Sequence, residues 1–185
     1  MSITCAYPSG NITESEIEIL LSQNDREKCF GFFVSAINDN NISILKLLSP
    51  LLHKYYYMPD KLFRVACDRK NIIVADWFYE NFDINIKYYD SECDYDKEGS
   101  STYYYYWFEY LTNKNNLLML KYIYEKQKKK ECVLLYDITE SFKVSIIRGY
   151  VDILDWLNSL DIDFNHIINE EKSIYYTPYI RSIIW

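Results

Sequence analysis

Phenylalanine stands at positions 33, 63, 108 and 142, and the residues that follow each one repeat. Three positions on come Ala36, Ala66, Leu111 and Ser145, one helical turn further along the same face and mostly small. Nine on come Ile42, Ile72, Leu117 and Val151. Twelve on come Leu45, Ala75, Leu120 and Leu154, and fifteen on come Leu48, Phe78, Ile123 and Leu157. Ile44, Val74, Met119 and Ile153, at offset eleven, thicken the stripe. These later columns predict a second amphipathic helix in every unit. Between the two helices fall Asn38 to Asn41, Asp68 to Asn71, Asn113 to Asn116, and Arg148-Gly149, all polar or turn-forming. Each unit therefore reads as a helical hairpin. The anchors lie 30, 45 and 34 residues apart (63−33, 108−63, 142−108), a period in the low thirties with one insertion between Asn85 and Tyr106.

Composition agrees with helices joined by short loops. A chain of 185 residues with 4 Gly and 4 Pro lacks the turn chemistry that many short strands require. Its 49% hydrophobic and 25% charged residues are an ordinary globular balance, so the expected class is all-α. A net charge of −7 argues against a dominant phosphate-binding surface, and no nucleic-acid partner is expected. Five cysteines, Cys5, Cys29, Cys67, Cys93 and Cys132, are scattered singly without zinc-like spacing, which fits a reduced intracellular setting. The first twenty residues lack a basic segment and a long apolar run, and no stretch approaches a membrane span.

The period and the order of small, turn and apolar positions resemble the ankyrin repeat. The fourth unit matches best: Phe142 takes the family's Leu position, Ser145 the Ala, Gly149 the Gly and Tyr150 the His, with Asp163 and Asn165 closing the repeat. Asp83-Ile84-Asn85 closes the second unit similarly, and Thr177-Pro178-Tyr179 resembles the start of a final half repeat. Units one to three depart from the family, with Asn40-Asn41, Lys70-Asn71 and Asn115-Asn116 where it has Gly-His. The resemblance implies a solenoid of helix-turn-helix units near 29–58, 59–87, 103–137 and 138–165, with a half repeat at 174–185 and an insertion at 88–102. Residues 1–28 would form an N-terminal cap, with Ser15 and Glu18 read as a capping box. The abundant Asn, Ile, Lys and Tyr resemble the usage of AT-rich genomes such as those of giant viruses or intracellular bacteria.

The insertion alternates acids: Asp90, Glu92, Asp94, Asp96 and Glu98. Asp94, Asp96 and Glu98, followed by Gly99, match the start of a calcium-binding loop, but the twelfth position is Tyr105 where that loop needs a Glu. A solvated acidic loop is the competing account. Tyr103 to Tyr106 read either as a continuation of the next helix or as a displayed aromatic finger, since Tyr offers rigid contact area with a polar tip. In the ankyrin family the fingers and the concave face bind partners. Carried over, that implies a protein-binding site made of Tyr103, Tyr104, Asp94 and Asp96 with the tips Asp68, Arg69, Asn113, Lys114 and Arg148.

Catalytic arrangements are thin. His53 and His166, the two histidines, have no metal or triad motif around them, and the four glycines build no phosphate loop. Cys29, Cys67 and Cys132 read as small buried residues, and Lys126 to Lys130 as a solvated helix end. The expectation is a non-enzymatic, cofactor-free scaffold that binds a protein partner inside the cell. Self-association through the Tyr-rich surface and a calcium-responsive module are the alternatives.

Overall fold

The computed structural model describes residues 13–23, 26–54, 58–86, 88–90, 104–130, 135–160 and 162. They form α1 (Glu14–Gln23), α2 (Arg26–Asn38), α3 (Ile42–Lys54), α4 (Met58–Asp68), α5 (Ile72–Asn81), β1 (Tyr88–Asp90), β2 (Tyr104–Tyr106), α6 (Trp107–Asn113), α7 (Leu117–Lys129), α8 (Leu135–Arg148) and α9 (Val151–Asn158). Among the described residues the architecture is helical, as expected, apart from one short antiparallel strand pair. The pairs α2–α3, α4–α5, α6–α7 and α8–α9 are four helical hairpins. The chain divides into two compact units between Asn85 and Ile86.

In the first unit α2 packs on α3 and on α4, α4 on α5, and α1 on α3. Phe33, Ala36 and Ile37 of α2, Leu45, Leu48, Leu51 and Leu52 of α3, Leu62, Phe63, Ala66 and Cys67 of α4, and Val74, Ala75 and Phe78 of α5 make its core. Pro50 sits inside α3 and cannot donate to the Lys46 carbonyl one turn back. Ser49 Oγ takes that acceptor at 2.7 Å, so the carbonyl stays satisfied. At the start of α1 the reciprocal cap is Thr13 with Glu16, not Ser15 with Glu18. Thr13 N–H donates to Glu16 Oε2 at 2.8 Å, and Glu16 N–H donates to Thr13 Oγ1 at 3.4 Å. Those Thr13 bonds hold the Glu16 carboxyl below its ordinary range. The next helix, α2, begins at Arg26, inside the segment read as cap.

In the second unit α6 packs on α7 and α8, and α8 on α9. Phe108 lies 6.3 Å from Tyr124 and 6.5 Å from Trp156, and the latter two rings meet edge to face at 5.7 Å. Three helices, α6, α7 and α9, are thus joined by one aromatic cluster. Tyr88, Tyr89 and Asp90 pair with Tyr106, Tyr105 and Tyr104, so β1 and β2 stand at the two ends of the insertion.

The repeat columns are legible in burial. Offsets zero, three, twelve and fifteen are buried in all four hairpins, and offset eleven in three of them. Offset nine departs: Ile72 and Val151 are exposed, and Ile42 and Leu117 half-buried. Helical geometry gives the reason. At about 100° per residue, offset eleven lies about 40° from fifteen, whereas offset nine lies about 120° away, on the rim of the stripe.

Leu154, 3% exposed at offset twelve, is the test of this register. Leu154→Asp places an unpaired charge in the fourth hairpin and is expected to cost more than about 4 kcal/mol. Circular dichroism melting should show early loss of the second unit, and an unchanged melt would contradict the packing.

Candidate interaction surface

Four chain reversals with one backbone geometry carry most of the polar residues singled out in the sequence. The residue at offset seven has positive φ in each hairpin: Asn40 at 52°, Lys70 at 56°, Asn115 at 49° and Gly149 at 70°. Its N–H donates to the carbonyl three residues back, and the following N–H donates to the carbonyl five back. That second bond is 2.9 Å in all four: Asn41 to Ala36, Asn71 to Ala66, Asn116 to Leu111 and Tyr150 to Ser145. A left-handed residue with this bond pair closes a helix by satisfying carbonyls that have run out of partners.

The next residue then opens the second helix. Asn41, Asn71 and Asn116 accept at Oδ1 from Ile44, Val74 and Met119 N–H at 3.1, 3.1 and 3.3 Å. Such a cap contributes about 1 kcal/mol. Asn71 also donates from Nδ2 to the Ile37 carbonyl at 3.2 Å, tying the second tip to the end of α2. The fourth tip has Tyr150, with no side-chain cap, but keeps the same backbone. In the sequence these asparagines read only as polar gap; their spacing, one residue after the left-handed position, was the signal of a cap.

Asp68, Arg69, Asn113, Lys114 and Arg148 are all exposed at these tips. Lys114 Nζ lies 5.6 Å from the Tyr110 ring, a cation–π contact that steadies the side chain. Asp68 and Arg69 belong to the first unit, and Asn113, Lys114 and Arg148 to the second. The sequence reading grouped tips and insertion in one site, and within the second unit they are apart. Tyr104 lies in β2, which runs into the N-terminal end of α6, whereas Asn113 and Lys114 sit at its C-terminal end, about 10 Å along the axis. Tyr104 to Tyr106 are strand, so the alternative of a continued helix is corrected: pairing with Tyr88–Asp90 satisfies their backbone instead. Asp94, Asp96, Glu98 and Tyr103 lie outside the described residues, as do Cys5, Cys93, Cys132, His166, Thr177 and the closing Asp163 and Asn165.

Other readings are refined. Cys29 and Cys67 are buried thiols outside any disulfide, and burial, with Asp68 adding, pushes the Cys67 thiol up, which disfavours a nucleophilic thiolate. The lysine run is not uniformly solvated. Lys126 and Gln127 are buried, with Gln127 Nε2 donating to the Ile86 carbonyl at 2.7 Å, while Lys128, Lys129 and Lys130 are exposed. The helix periodicity turns only part of that run outward. Among the described residues no group of three or more metal-ligating side chains forms, and no helix is long and apolar enough to cross a membrane. The sequence reading also passed over Asp137, whose spacing of four from Ser141 and of eight from Ser145 places all three on one face of α8. All three are buried.

No protein-family model matches this chain, and it matches no curated protein and no solved structure.

The tip geometry makes opposite predictions at equivalent positions. A left-handed backbone costs a side-chain-bearing residue about 1 kcal/mol relative to glycine. Lys70→Gly should therefore raise the urea midpoint by about that much stability. A Cβ at Gly149 would meet nothing within 4 Å, so Gly149→Ala should lower stability by a similar amount through conformation alone. Equal effects of the same sign would contradict a shared tip.

Proposed function

We propose that this chain is an ankyrin-like, non-enzymatic repeat scaffold that binds a protein partner inside the cell. What supports the reading most is one observation: a single tip geometry recurs in four hairpins and holds different polar side chains outward. Asp39, Asp68, Arg69, Lys114 and Arg148 vary from tip to tip over an invariant backbone. Constant frame with variable surface suits recognition, because a turn closed by hydrogen bonds presents its side chains with little ordering cost on binding. The Phe33, Phe63, Phe108 and Phe142 register and the burial of its columns support the family resemblance.

The tips of each unit are the partner contacts, with the Tyr and acid insertion as a further one. The Asp94, Asp96 and Glu98 set would serve as acidic contacts for the partner.

Pull-down with mass spectrometry from a lysate of the source cell tests this, with the full chain, a Lys114→Glu/Arg148→Glu double variant, and a chain in which residues 91–103 are replaced by a Gly/Ser linker. Circular dichroism must show all three folded. A protein captured by the full chain and lost by either variant is the expected result. No capture, together with concentration-dependent sedimentation of the full chain, would contradict the scaffold reading and favour self-association.

A further inference from the structure

The start of α8 buries a carboxylate that no described group neutralises. Asp137 is 2% exposed, and neither of its oxygens has a hydrogen-bond partner among the described residues. Ser141, one turn on along the same face, is wholly buried, and its Oγ is likewise without a partner. Among the described helices, α6 and α9 pack most extensively on α8. Neither contains a cation: α6 brings Glu109, whose charge acts on Asp137, and α9 brings Asp152 and Asp155, both exposed. On α8 itself Glu140 pairs with Lys143 at 3.0 Å, and Arg148 is exposed at the opposite end. A carboxylate removed from water without donor or counter-charge favours its neutral form.

We propose that Asp137 is a proton-binding site in the seam between α6 and α8, so that mild acid tightens this seam and neutral pH loosens it. The proposal rests on the packing of the second unit and is independent of the scaffold reading. Protonation removes the repulsion toward Glu109 and ends the cost of a buried charge. It also creates an O–H donor on the face where Ser141 Oγ is an unused acceptor. The seam joins the helices whose C-terminal ends carry Lys114 and Arg148, so these two tips are held less firmly as the pH rises.

Burial first, and Glu109 second, lift the Asp137 carboxyl from 3.8 to about 6. Because the folded value is the raised one, the stabilisation is complete below the unfolded value and is lost as pH rises through about 6. Over the whole interval the unfolding constant of the unit changes about a hundredfold, and about tenfold between pH 5 and 7.5.

Hydrogen exchange of α8 amides in the full chain, corrected for intrinsic rates, tests this from pH 5 to 7.5, above the titration of ordinary carboxylates. The wild type should lose about tenfold in protection across that range. Asp137→Asn should be flat and, at pH 7.5, about a hundredfold more protected than the wild type. Glu109→Gln should keep the fall but shift it to lower pH, and it decides the matter if Asp137→Asn does not fold. A flat wild-type profile, or an equal slope in Asp137→Asn, would overturn the proposal. So would recovery of protection at pH 7.5 on adding calcium or magnesium to the wild type but not to Asp137→Asn, which would make the site a cation site.

Discussion

The left-handed residue at the end of each first helix is the constraint on which the hairpins depend. A helix that stops leaves carbonyls without partners, and a chain that must reverse within three residues has little backbone with which to satisfy them. One positive-φ residue and two backward hydrogen bonds solve both problems at Asn40, Lys70, Asn115 and Gly149. The reversal fixes where the second helix begins, and that phase decides which of its residues meet the first helix. Burial of Leu45, Ala75, Leu120 and Leu154 follows from it, as does the exposure of Ile72 and Val151 on the rim. Packing then holds the reversal in place, since a lone left-handed Lys70 would be disfavoured without the helices on either side.

How much of this was legible depended on the kind of signal. Column periodicity located four hairpins and the insertion, because burying one stripe of a helix demands apolar residues at a fixed angular spacing. Asn40, Lys70 and Asn115 concealed the shared turn, since only Gly149 shows its conformation in its residue type. Asn tolerates the left-handed region and Lys rarely adopts it, so position in the repeat, not identity, was the guide. Thr13 and Glu16 took the cap read at Ser15 and Glu18 because both pairs satisfy the same spacing rule, and hydrogen-bond geometry distinguishes them. The strands at Tyr88–Asp90 and Tyr104–Tyr106 were not legible as strands: runs of tyrosine suit a pleated surface and a helix face alike.

The candidate site shows the same division. Exposure of Asp68, Arg69, Asn113, Lys114 and Arg148 followed from their place in the polar gap, whereas the separation of the third tip from Tyr104 needed the direction of α6. Asp137 escaped notice because a single acid in a helix is ordinarily turned to water, and its burial arises from the packing of α6 on α8. Together the tips and the seam describe invariant turns, variable surface residues and, in Asp137, a buried carboxylate proposed to make part of the frame sensitive to pH.

Backbone φ at the four tips, measured by NMR from three-bond couplings and residual dipolar couplings in the full chain, tests the central claim most directly. The account predicts positive φ at Asn40, Lys70, Asn115 and Gly149 alike. Negative φ at any of the three non-glycine residues would mean that the hairpins do not share one reversal, and the repeat would fail at that unit.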